Sequence, residues 1–129
     1  MDKAREAAVR VLFEVHELGA YANVALGKAL KAGRFTETDR RFLTELVYGA
    51  VKAGDTLDWM LKKYITRPLS KMQPTVREIL RLGIYQLFFL DKVPPSAVCN
   101  TSVELAKCMG FLRLSGRGNG ILRTPVREP

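Results

Sequence analysis

Histidine, cysteine and tryptophan are nearly missing from this chain, with one, two and one among 129 residues. A zinc site needs about four closely spaced ligands, which His16, Cys99 and Cys108 do not supply. The two cysteines stand nine positions apart in a segment read as helix. That spacing puts about 13 Å of rise between them, on opposite faces, so they do not bridge and are read as reduced packing residues. His16 has no Ser, Cys or carboxylate pattern around it that points to catalysis. It is read as an exposed or capping imidazole.

Catalytic signatures are absent as well. There is no G-x-x-x-x-G-K-[ST] phosphate loop, no H-E-x-x-H and no G-x-S-x-G elbow. Gly116-Arg-Gly-Asn-Gly120 follows no strand and has nine residues after it, too few for a βαβ unit. Two readings of it stay open. It is a flexible connector, or its backbone N–H groups meet a phosphate at the start of a last helix, with Arg113, Arg117 and Arg123 adding charge. No apolar run reaches the ~18 residues of a membrane span. Charges recur through residues 2–17, which excludes a signal-peptide pattern there, so a cytoplasmic protein without membrane attachment is expected. Period-two alternation, internal repeats and low-complexity tracts are missing too. The fold class that remains is all-α, with helices on short connections.

What is present is an ordinary folded composition, 47% hydrophobic and 26% charged, at a one-domain length covering residues 1–129. The formal charge is +8 and the pI near 9.8, which favours nucleic acid or an acidic surface as partner. The excess is uneven. Residues 1–66 hold 11 Lys+Arg against 9 Asp+Glu, while residues 67–129 hold 10 against 4. The C-terminal half is therefore the better candidate for an anion-facing side.

The stretch from Pro74 to Leu90, PTVREILRLGIYQLFFL, is apolar on more than one helical face. Such a helix belongs in the middle of a core. Pro74 suits its first turn, and Asp91 with Pro94-Pro95 closes it. Arg77, Glu78, Arg81 and Gln86 are the positions left to face water. Arg77 and Arg81 are four apart, so two like charges share one face. Either an anionic partner relieves that repulsion, or solvent and carboxylates elsewhere do.

Around this centre the pattern gives five further helices. Residues 3–18 carry the stripe Ala8, Val11, Leu12, Val15, Leu18, with Glu6, Arg10 and Glu14 on a solvated face. Residues 21–32 turn Val24, Leu26 and Leu30 inward. Thr36 with Asp39 marks the start of a helix over about 37–53, where Arg40 and Arg41 are offset by Glu37 and Asp39. A helix over about 56–66 leaves Trp59 off its stripe, at an edge or interface. The last, over about 96–109, ends at Gly110 and is followed by a tail, 111–129, that frays or adds a final helix after Asn119. Phe42, Tyr64, Tyr85, Phe88 and Phe89 sit at core spacing.

Several of these stretches together resemble a known family. They are Tyr21-Ala-Asn-Val-Ala-Leu, Asp39-Arg-Arg-Phe-Leu-Thr-Glu-Leu-Val-Tyr-Gly49, Thr56-Leu-Asp-Trp59, Arg67-Pro-Leu, Ile79-Leu-Arg-Leu-Gly-Ile-Tyr-Gln-Leu87, Asp91-Lys-Val-Pro-Pro95 and Val103-Glu-Leu-Ala-Lys107. This looks like the N-terminal, NusB-like RNA-binding domain of the RsmB (Sun/Fmu) class of 16S ribosomal RNA cytosine-C5 methyltransferases. One departure is that Arg117-Gly118 precede Asn119 where the family carries an apolar pair.

The resemblance implies two small helical bundles around the buried helix at about 74–90, with ribosomal RNA as partner. It implies that the catalytic domain, with its S-adenosylmethionine and Pro-Cys chemistry, is absent from this chain, which needs no cofactor and no metal and is not an enzyme by itself. The expected role is to help seat the methyltransferase on 16S rRNA. The expected basic surface is Lys3, Arg5, Arg77, Arg81, Arg113, Arg117 and Arg123. Two other readings stand beside it. One is a free-standing NusB-like transcription antitermination factor that binds RNA and a small ribosomal protein. The other is a domain that docks a C-terminal methyltransferase domain without touching RNA.

Overall fold

The computed structural model describes residues 2–110, and these form six α-helices and one short 3-10 turn with no strand. Helices α1 (Lys3–Leu18), α2 (Ala22–Ala32) and α3 (Glu37–Ala53) are followed by α4 (Asp55–Leu61), the 3-10 turn Leu69–Lys71, α5 (Pro74–Phe89) and α6 (Pro95–Cys108). The expectations for the residues 111–129, including a helix after Asn119, lie outside the described residues. Local chemistry sets the ends. The Asp2 carboxylate accepts from the Arg5 amide at 2.9 Å, and the Thr36 hydroxyl accepts from the Asp39 amide at 3.1 Å. Each satisfies an N–H that the first turn leaves unpaired.

Helix α4 stops at Leu61 rather than near residue 66. Its end tightens into i→i+3 bonds, Lys63 to Met60 and Tyr64 to Leu61. The corner between α3 and α4 turns on Gly54 at φ 51°, a backbone region that side chains avoid.

Helix α5 is the hub, packed against α1, α3, α4 and α6. Helices α1, α2 and α3 pack on one another, while α4 and α6 each pack on α5. Ile79, Leu80, Leu82 and Ile84 of α5 join Leu12, Leu43, Leu46, Leu57, Leu61 and Leu105 in one core. A close approach pins α3 to α5: a methyl group built at Gly49 would stand 1.8 Å from the Tyr85 hydroxyl. Gly49 of the LVYG stretch is therefore glycine because Tyr85 of the LGIYQ stretch occupies the space beside it.

Several inward expectations are corrected. Val24 and Leu18 are exposed, since α2 reaches the core through Ala25 and Leu26 and α1 ends past the core's edge. Phe88 and Phe89 are exposed on the last turn of α5, where Phe89 stacks on Tyr85. Cys99 is buried as expected, but Cys108 is exposed on the last turn of α6.

Candidate nucleic-acid interface

Charge was expected to leave α5 for solvent, and it does not. Glu78 is 0% exposed and Gln86 1%, so two of the four polar positions read as water-facing are interior. Burying a carboxylate demands a partner of opposite charge. Glu78 has two partners, with the Arg81 Nη1 donating to one oxygen at 2.7 Å and the His16 Nδ1 lying 2.8 Å from the other. His16, read as an exposed or capping imidazole, is exposed and also reaches this buried carboxylate.

Arg81 also grips Asp58 of α4 with both sides of its guanidinium, at 2.7 Å and 2.9 Å. Burial pulls its pKa down, but the hydrogen bond to Asp58 and the charges of Glu78 and Asp58 outweigh that and hold it above the usual arginine value. Arg77 donates to Glu17 Oε1 at 2.9 Å and to the Leu69 carbonyl at 3.2 Å, tying α5 to the end of α1 and to the 3-10 turn. The pair of like charges on α5 is therefore relieved by internal carboxylates.

Arg5 is buried too. Its Nη1 pairs with Asp2, its Nε donates to Gln86 Oε1 at 2.7 Å, and its guanidinium carbon lies 4.9 Å from the centre of the Phe42 ring. Of the residues expected to form the basic surface, Arg5, Arg77 and Arg81 are locked into the fold, and Lys3 is exposed. Arg113, Arg117 and Arg123 lie outside the described residues. The expected Arg10–Glu6 pair forms at 3.1 Å, and Arg41 reaches Glu37 at 3.5 Å.

Among the described residues, positive charge outside ion pairs lies on Arg34, Arg40, Arg67 and, above all, on lysine. Every ion pair among the described residues uses arginine or histidine as its cation, and no lysine enters one. All the described lysines, from Lys3 to Lys107, are exposed. Two of them flank the one tryptophan. Lys63 Nζ stands 4.2 Å above the Trp59 ring, and Lys62 shares with Trp59 and Arg67 the wall of a surface recess of about 790 Å³. Sequence reasoning placed Trp59 at an edge but assigned it no role. Its signal was an indole off the apolar stripe with two lysines within one turn. No cluster of His, Cys, Asp or Glu suited to a metal occurs among the described residues, and none of their helices is long and apolar enough to cross a membrane.

Comparison with known proteins agrees with this helical arrangement. The sequence model of the NusB family matches residues 2–127. A protein of Synechocystis sp. described as "Probable ribosomal RNA small subunit methyltransferase B" is 44% identical over 95% of this chain. Its counterpart in Bacillus subtilis is 37% identical over 96%. The chain spans 28% of the length of each of these relatives. Among solved structures, NusB in a crystal of antitermination factors NusB and NusE with double-stranded RNA superposes with a TM-score of 0.90 at 22% identity. That match covers 99% of this chain and 96% of the other.

Proposed function

Because the chain belongs to the NusB family, we propose that it is an RNA-contacting domain that seats a ribosomal RNA small-subunit methyltransferase on 16S rRNA. The observation that carries this is the alignment of nearly the whole chain with 28% of two methyltransferases, at 44% and 37% identity. Methyl transfer from S-adenosylmethionine then belongs to the rest of such an enzyme, and this domain supplies grip. A charge of +8 supports that role.

The lysines that no carboxylate neutralises, Lys3 among them, make the phosphate contacts, joined by Arg113, Arg117 and Arg123 of the C-terminal segment. Arg5, Arg77 and Arg81 hold the helices in place and are left out of the contact. Phosphate contacts of this kind release counterions, so affinity falls steeply as salt rises. The test is a titration of labelled 16S rRNA fragments from low to moderate salt. Binding that weakens linearly on a log–log plot is expected, and absent or salt-independent binding overturns the reading. A free-standing factor acting with a small ribosomal protein shares the fold, but the solved NusB is 22% identical against 44% for the methyltransferase relative, which favours the latter.

A further inference from the structure

We infer that Trp59 and the recess beside it form a stacking subsite for one unpaired nucleobase of single-stranded RNA. The inference rests on the RNA-binding reading and names the contact within it. Trp59 is 61% exposed and belongs neither to the core nor to the residues packed against it, so its indole contributes nothing to the fold's interior. The Lys63 ammonium covers the ring, while the ring itself also edges the recess, to whose lining Lys63 does not contribute. The volume, about 790 Å³, lies in the range of roughly 300–1,000 Å³ typical of small-ligand sites.

Charge selects the ligand. Lys62 and Arg67 line the recess together with Asp55 and Asp58. Asp58 is already matched by two bonds from Arg81, which leaves Asp55 as the one lining acid without an ion-pair partner among the described residues. The two lining cations, Lys62 and Arg67, outnumber that acid. Tryptophan and arginine suit a protein partner as well as a nucleotide, but lysine is depleted where protein surfaces meet, and it is the lysines that favour an anionic ligand. A nucleotide matches it, presenting a flat π face to the indole and a phosphate to the lysines. The base must be unpaired, since a base within a duplex keeps its faces stacked on its neighbours.

The chain's single tryptophan makes the test direct, because its emission reports on Trp59 alone. Titration of the 129-residue protein with a short oligouridylate is expected to quench that emission along the same curve as the anisotropy of labelled RNA. Trp59→Ala is expected to weaken binding roughly 5- to 100-fold, the usual effect of losing one stacked base, whereas Trp59→Phe keeps most of the affinity. Unchanged far-UV circular dichroism and melting of Trp59→Ala confirm that the loss is one of binding, as its exposed position predicts. Equal affinity of Trp59→Ala and the parent, with no quench, overturns the subsite and leaves the RNA-binding reading standing. Failure of the parent to bind any RNA at low salt overturns both. A blue shift of the emission with the protein NusE, and none with oligouridylate, assigns the recess to a protein and likewise overturns the subsite.

Discussion

Replacing Arg81 tests whether the charges of α5 belong to the fold or to a ligand. Its guanidinium makes three hydrogen bonds of 2.7–2.9 Å to Asp58 and Glu78, and Glu78 has no exposed surface. Arg81→Met leaves that buried carboxylate with His16 as its sole partner. Removing one member of a buried pair costs about 3–5 kcal/mol, because an uncompensated charge stays behind. Typical domains are stable by about 5–15 kcal/mol, so the loss is a large fraction of the whole. For a chain of this size it lowers Tm by roughly 10–20 °C. Arg81→Glu, which sequence reasoning alone would choose as a binding mutant, sets a third carboxylate against two others and is expected to be worse. Thermal and urea unfolding followed by circular dichroism measures both. Adding Glu78→Gln to Arg81→Met removes the stranded charge and is expected to recover part of the loss, so the two changes are non-additive. An Arg81→Met protein within about 0.5 kcal/mol of the parent would refute the structural role of this network.

Two further changes probe the α3–α5 contact. Gly49→Ala improves intrinsic helix propensity by about 1 kcal/mol but forces the Tyr85 ring out of its place, for a net destabilisation of about 1–3 kcal/mol. In a Tyr85→Leu background the same substitution is expected to be nearly harmless, and additive urea midpoints would show that the two side chains do not compete. The Tyr85 phenol itself is raised above its ordinary value of 10.0, by burial first and by the Glu45 charge second. Its folded state prefers the proton, so this share of stability is complete below pH 10 and disappears as pH climbs through the raised folded value. Tyr85→Phe should therefore flatten the alkaline limb of a stability–pH curve, and identical limbs for the two proteins would count against it.

Much of the fold could be read locally, and the residues show why. The ends of α1 and α3 fall where Asp2, Thr36 and the glycines put them, because a cap is written within three or four positions of the helix it serves. The apolar density of residues 74–90 likewise marks α5 as the centre. The polar positions on α5 were misread for a different reason. Periodicity treats a charged residue as solvent-facing, and only a distant partner reverses that. For Glu78 the partner is His16, 62 positions away; for Gln86 it is Arg5, 81 away; for Arg81 it is Asp58, 23 away. None of these separations leaves a local trace. Three residues of the expected RNA surface, Arg5, Arg77 and Arg81, are among those with such internal partners.

Arginine and lysine divide the work in this domain according to their chemistry. A guanidinium is planar, less strongly hydrated and rich in donors, so Arg81 can meet Asp58 with two parallel bonds while Arg5 and Arg77 each divide their donors between a carboxylate and a neutral oxygen. An ammonium is a compact, strongly hydrated point charge that loses more on burial, and the described lysines all stay outside. Among the described residues, internal pairing therefore neutralises arginines and carboxylates together and leaves much of the excess positive charge on exposed lysines. Charges held that way attract a polyanion at long range without fixing its sequence. A surface built so needs some separate feature to recognise anything beyond phosphate. Several aromatics are exposed among the described residues, and the indole of Trp59 is the one that has an ammonium, Lys63, over its ring and a second lysine, Lys62, in the recess beside it.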